Sequence, residues 1–222
     1  MDRFPPPAAV LFDLDGTLVD TVPTRIAAWA RAFDEVGVSA GAAQLGPLIG
    51  SDGTMLARRV AGEAGVELDD EAAERLDQRS GEIYGELNSD PRPLAGAAEA
   101  LAALDARSIT WAIATSSRRE QVAASVAALD LEREPTIVDG SHVAQAKPAP
   151  DLLLLAAREL DVDPAGCWYV GDSTWDMESA TAAGMLPIAV MAGAAVEREV
   201  LVAAGARAVL ETLDELTDRL PA

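Results

Sequence analysis

Three short apolar runs, "AAVLF" (8–12), "ITWAIA" (109–114) and "CWYV" (167–170), constrain the fold of this chain more than any other feature. None carries the period of an amphipathic helix or the in-out alternation of a half-exposed strand. Uniformly apolar runs of this length suit strands buried on both faces of a parallel sheet. Alanine- and leucine-rich stretches of helical character lie between them, at 96–106, 118–129 and 151–160. Farther on, "LPIAVM" (186–191) and "AVL" (208–210) predict two more strands. The alternation argues for an α/β fold with a mostly parallel sheet.

Residues 21 to about 90 interrupt that rhythm. "TRIAAWARAFDEVGV", "GTMLARRVAGEAGV" and "DEAAERLDQRSGEIYGEL" all carry helical spacing, and no convincing strand separates them. They read as a helical insertion between the first strand and the second, and the prolines of "DPRPLAG" mark the return. The expected organisation is core over 1–17, insertion over 18–91 and core again over 92–222.

Composition removes several function classes. The net charge of −20 argues against a nucleic-acid partner, because phosphate neutralisation needs a basic face. No apolar run approaches the roughly 18 residues that would cross a bilayer. The start, "MDRFPPPAAV", lacks the basic and apolar regions of a signal peptide, so a cytoplasmic location is expected. A lone cysteine, Cys167, sits in an apolar run without an activating base and reads as packing. With His142 as the only histidine, a mechanism needing two is excluded, as are most zinc sites.

The ends of three predicted strands carry the chemistry. "LFDLDGT" places Asp13 and Asp15 after the first, "IATSS" places Thr115 and Ser116 after the second, and "YVGDSTWD" places Asp172 and Asp176 after the third. Ligands of open α/β sheets bind outside the carboxyl ends of the strands, so these groups are expected to converge. Taken singly, "DGT" and "GDS" are ordinary turns and "TSS" an ordinary helix cap. Four carboxylates at one sheet edge repel each other, and a hard divalent cation is the usual compensation. A second signal is Lys147 in "QAKPAP", the only lysine beside sixteen arginines. Its retention points to a place needing a compact charge rather than a guanidinium fork.

In order and spacing, "FDLDGTLVDT", "IATSS" and "KPAPDLLLLAARELDVDPAGCWYVGDSTWDMESATAAGM" resemble the motifs of the haloacid dehalogenase superfamily, most closely its phosphoglycolate-phosphatase-like branch. The resemblance implies a Rossmann-like parallel-sheet core with an inserted α-helical cap. It implies a Mg2+-dependent phosphatase acting on a small phosphorylated metabolite, with no nucleic acid or membrane as partner. Asp13 would be the nucleophile, forming an aspartyl-phosphate, and Asp15 the general acid and base. Mg2+ would be held by Asp13, the backbone carbonyl of Asp15 and Asp172, with Asp176 bound directly or through water. Thr115, the amide of Ser116 and Lys147 would hold the phosphoryl oxygens.

The same resemblance places the cap's hinges at Asp20–Pro23 and Ser89–Pro93 and makes "LIGSDGT" (48–54), with Gly50, the substrate-facing loop. Arg58 and Arg59 could bind an anionic tail there, although paired arginines on a helix commonly form a solvated face. Trp175 either packs on the cap or covers the core. Asp15 argues against dehalogenation, and a cap without lysine argues against phosphonate cleavage through a Schiff base. A sugar-phosphate mutase of the β-phosphoglucomutase type and a non-catalytic ligand-binding relative are the alternative readings.

Overall fold

The computed structural model describes residues 4–143 and 145–221, so the first three residues of the amino-terminal stretch lie outside the description, as does the side chain of His142. The elements run β1 (Ala9–Phe12), α1 (Val22–Glu35), α2 (Ala42–Leu45), α3 (Gly53–Glu63), α4 (Asp70–Leu87), α5 (Ala97–Ala106), β2 (Thr110–Thr115), α6 (Arg119–Ala128) and β3 (Ile137–Asp139). They continue α7 (Asp151–Glu159), β4 (Cys167–Gly171), α8 (Thr174–Ala182), β5 (Leu186–Val190), α9 (Arg198–Ala203), β6 (Ala208–Leu210) and α10 (Asp214–Thr217).

All six strands pair in parallel, in the order β3-β2-β1-β4-β5-β6. The apolar runs behave as their composition requires. Val10 and Phe12 of β1 enter a core with Trp111, Ile113, Trp168 and Val170 on one face. Ala9 and Leu11 enter a second core with Leu152 and Leu153 of α7 on the other. A strand covered twice loses nothing by being apolar at every position, and each large side chain so buried contributes about 1.5–3 kcal/mol.

One strand, β3, is not predicted by the sequence. It has only three residues, pairs along one edge with Ile113–Thr115, and ends in Asp139. Unlike the equally short, wholly apolar "AVL" of β6, it offers only two apolar residues before its aspartate.

The order of the strands sets the position of the site. The chain winds from β1 outward to β3, then returns to β4 and winds outward the other way. At that reversal, helices leave opposite faces and a crevice opens beyond the carboxyl ends of β1 and β4. Phe12 pairs with both Ile113 and Val170, which puts the residues following the three strands at one level.

Helices α1–α4 lie between β1 and β2 and close their own apolar core, with Trp29, Phe33, Leu56, Val60, Leu76 and Tyr84 among its members. Their starts are chemically defined: Pro23 lies in the first turn of α1, Asp52 caps α3 through the Met55 amide, and Asp69 caps α4 through the Ala72 amide. The chain leaves and re-enters the core through paired segments. The Asp20 amide donates to the Arg92 carbonyl and the Leu94 amide to the Leu18 carbonyl, both at 2.9 Å, and Val19 forms an antiparallel bridge with Pro93. No helix among the described residues is long and apolar enough to cross a membrane.

Candidate active site

Asp13 follows β1 directly, and its amide donates to the Val170 carbonyl of β4 at 2.9 Å. The chain then turns sharply at Gly16, where φ is +80° and a β-carbon would lie 2.4 Å from Asp172 Oδ2. Only glycine allows both the turn and that approach. Thr17, one residue on, donates its hydroxyl to Asp172 Oδ1 at 3.0 Å and so joins the ends of β1 and β4.

The single lysine stands at the centre of the cluster. Lys147 Nζ donates to Asp13 Oδ1 at 2.8 Å and to Asp176 Oδ1 at 2.7 Å, and the side chain is 1% exposed. Asp176 is held in turn by a capping box at the start of α8. Its Oδ2 accepts from the Ser173 amide at 3.0 Å, the Ser173 hydroxyl at 2.6 Å and the Asp172 amide at 3.2 Å. Tyr169 also donates its hydroxyl to Oδ1, at 3.1 Å. These donors take up the roughly four lone-pair positions a carboxylate offers. Asp176 is thus built to orient Lys147, and direct binding of a cation would require it to give up a partner.

Carboxylate oxygens of Asp13, Asp172 and Asp176 lie within 4.8 Å of one another, all three residues being buried. Burial pushes the Asp13 carboxyl up, Lys147 opposes the rise and Asp176 adds to it, leaving it at about 7. Asp172 is raised well above the usual range by burial and by the charges of Asp176 and Asp13. Burial alone would lower the Lys147 ammonium, but Asp13 and Asp176 overcome it and the net shift is upward. One ammonium therefore does not offset the burial of Asp13 and Asp172. An oxygen-rich, buried set with uncompensated charge fits a hard divalent cation.

A pH dependence follows. A carboxyl whose folded pKa lies above its unfolded value near 3.8 stabilises the fold at low pH, and that stability is lost as pH rises toward about 7. With a chelator present, the thermal midpoint should fall between pH 5 and pH 8. Millimolar Mg2+ should restore most of the loss at pH 8 and little at pH 5. Equal stabilisation at both pH values would show that the cation does not act on these carboxyls.

Asp15 has a different environment. It accepts from the Thr21 hydroxyl at 2.6 Å, the Ser117 hydroxyl at 2.6 Å, Arg25 Nη2 at 2.9 Å and the Tyr84 hydroxyl at 3.1 Å. Burial raises its pKa, but the Arg25 charge and the hydrogen bonds from Ser117, Thr21 and Arg25 outweigh it, so the net shift is downward. The Arg25 guanidinium lies 3.5 Å above the centre of the Tyr84 ring and also donates to the Ser117 hydroxyl, at 2.6 Å. Helices α1 and α4 of the insertion thus reach directly to a carboxylate of the core.

A cavity of about 150 Å³ opens over Asp13 and Asp15, bounded by Thr115 and Ser116 on the core side and by Gly50 and Trp29 on the insertion side. Ser116 Oγ donates to the Gly50 carbonyl at 3.2 Å across it. Trp175 packs on the insertion's core and donates Nε1 to the Pro47 carbonyl at 3.0 Å, which decides its role in favour of the insertion. Cys167 is buried, with burial raising its thiol pKa.

Two expected residues are elsewhere. Arg58 pairs with Asp70 at 2.6 Å and Arg59 with Glu63 at 3.5 Å, both on the solvated face of α3, and neither lines the cavity. The apolar face of α3 (Leu56, Ala57, Val60, Ala61) must turn inward, which carries both arginines outward. Arg58→Ala and Arg59→Ala should each leave kcat/KM within about two-fold of wild type, since exposed pairs of this kind contribute little. A ten-fold loss in either would return them to the site. Arg25, Tyr84 and Ser117 were missed because each is an ordinary polar or amphipathic position in its own segment. They become site residues only through contacts with partners 10 to 102 positions away.

Known proteins place this constellation. A family model described as haloacid dehalogenase-like hydrolase matches residues 10–190. An N-acetylmuramic acid 6-phosphate phosphatase of Pseudomonas putida is 34% identical over 193 residues, covering 83% of each chain. A phosphoglycolate phosphatase of Xylella fastidiosa is 36% identical over 185 residues, covering 81% of this chain and 78% of that one. The crystal structure of a hydrolase from Pseudomonas syringae superposes with a TM-score of 0.89 at 32% identity, covering 95% of this chain and 96% of the other. With its motifs converging at the sheet reversal and five of its six strands inside the matched region, the chain belongs to the haloacid dehalogenase-like hydrolase family.

Proposed function

We propose that the chain hydrolyses a small phosphomonoester with Asp13 as nucleophile and Mg2+ as cofactor. The observation that carries this reading is Lys147: one buried ammonium bridges Asp13 and Asp176 at the sheet reversal, beside Asp172. In this reading Asp13 attacks phosphorus through the oxygen not engaged by Lys147, the bond to the leaving alcohol breaks, and an aspartyl-phosphate forms. Thr115 and the Ser116 amide hold phosphoryl oxygens on the core side, and Lys147 offsets the charge that builds there.

Asp15 gives its proton to the leaving alcohol and takes one from the water that later attacks the phospho-aspartate. To do so its Oδ1, held by the Thr21 and Tyr84 hydroxyls, must be released while Arg25 stays on Oδ2, so movement of α4 and proton delivery are linked. Asp13 and Asp172, with the Asp15 carbonyl, would hold Mg2+, and Asp176 would support them through Lys147 and water. When bound, the cation supplies charge neutralisation for the phosphoryl group that Lys147 cannot provide alone. Residues 18–91 act as a cap in this reading, moving on the two paired linkers.

The test is phosphate release from a panel of phosphomonoesters, phosphoglycolate included, with Mg2+ and with a chelator. Release that requires Mg2+ is the expected result. Substrate loss without phosphate release would indicate a mutase instead, and no turnover of any compound would overturn the hydrolytic reading.

A further inference from the structure

The half of the cavity that faces the leaving group carries cations already committed to carboxylates of the chain. Arg25 and Arg118 are the arginines that line it. Arg25 is held by Asp15, and Arg118 Nη2 donates to Glu74 at 2.8 Å and to Asp77 at 3.1 Å. Against them the insertion presents Asp52 and Asp77.

At the amino terminus of α3, where an anionic ligand would look for amides, a carboxylate of the chain already sits. Asp52 Oδ1 accepts from the Met55 amide at 2.8 Å and from the Thr54 hydroxyl at 2.6 Å. Asp77 lies so close to the next residue that a β-carbon on Gly53 would fall 1.9 Å from its Oδ1. Two carboxylates thus stand beside the helix start that would otherwise favour an anionic group. The rest of this wall is neutral: Ser80 and Gln121 are polar, and Trp29 and Leu56 are apolar.

Resting on the phosphatase reading, we infer that the site selects a phosphate ester whose leaving group is an uncharged, hydroxyl-bearing alcohol, with Asp77 accepting from a hydroxyl and rejecting a carboxylate at that place. Specificity of this kind comes from repulsion as much as attraction. Burial raises the Asp77 carboxyl, Arg118 opposes that, and Glu74 and Asp52 add to the rise, so a further donor is favoured there and a further negative charge is not. An alcohol's carbon skeleton can rest on Trp29 and Leu56 while its hydroxyls meet Ser80, Gln121 and Asp77. In this respect the chain would differ from relatives named for phosphoglycolate, whose leaving alcohol carries a carboxylate.

Glycerol 3-phosphate and 3-phosphoglycerate differ in one group, a hydroxymethyl against a carboxylate, and make the test. Binding of each, with Mg2+, is measured by calorimetry on the full chain carrying Asp13→Asn, and kcat/KM is measured on wild type. The expected result is at least ten-fold preference for glycerol 3-phosphate in both. In Asp77→Asn, which keeps the size of the side chain and removes its charge, the preference should shrink at least three-fold.

Equal or tighter binding of 3-phosphoglycerate would overturn the inference, as would failure of both to bind or an unchanged preference in Asp77→Asn. If glycerol 3-phosphate binds preferentially but no ester is hydrolysed, the phosphatase reading fails and the inference about the cavity stands.

Discussion

Asp13→Asn lowers phosphate release to less than about 1% of wild type while the fold persists, because the reaction loses the atom that forms its covalent intermediate. Asparagine fills the same volume, and its amide oxygen can still accept from Lys147. The substitution should therefore stabilise the chain in chelator at pH 8, since it removes a carboxyl that burial has raised to about 7. The two readouts move in opposite directions, which separates loss of the nucleophile from loss of the fold. Retained turnover above about 1% would remove Asp13 from that role, and a lower thermal midpoint at pH 8 would contradict the charge account.

Lys147→Arg costs on the order of 100-fold or more in kcat, comparable to loss of a preorganised charge contact. The ammonium fits a place that a guanidinium does not: Nζ touches two carboxylates at 2.8 and 2.7 Å, lies 5.2 Å from the centre of the Tyr169 ring, and is closed from solvent. Arginine keeps the charge but spreads it over a rigid plane, and the extra atoms must displace packed neighbours. Lys147→Ala tests the other half of the argument. It leaves Asp13, Asp172 and Asp176 without their cation, and breaking a buried pair of this kind costs about 3–5 kcal/mol. Mg2+ should recover part of that stability without recovering the rate. An arginine variant with near wild-type turnover would mean that the chain's single lysine has no special role.

How far these features can be read without a structure depends on how local their physics is. The runs ending at Phe12, Thr115 and Gly171 announce themselves because a strand covered on both faces must be apolar throughout. Asp13, Asp15, Asp172 and Asp176 could be picked out because each follows such a run, and the carboxyl ends of parallel strands share one edge. Lys147 was found by rarity, a signal that belongs to composition and needs no coordinates. The short edge strand Ile137–Asp139 gave no such signal, since only two of its residues are apolar, whereas the equally short Ala208–Leu210 is apolar throughout.

What only the tertiary structure decided is which polar residues of the insertion face the core. Arg25 and Arg58 look alike in sequence, each a basic residue on an amphipathic helix. One stacks on Tyr84 and grips Asp15, whereas the other pairs with Asp70 in solvent. The same holds for Asp77, whose role depends on its approach to Gly53 and Arg118. The identity of the five apolar strands and the positions of the candidate carboxylates follow from nearest neighbours along the chain, so the sequence determined them by itself. The walls of the cavity over Asp13 and Asp15 follow from how α1, α3 and α4 pack across the carboxyl ends of β1 and β2, and helix-on-sheet packing is set by contacts far apart in sequence.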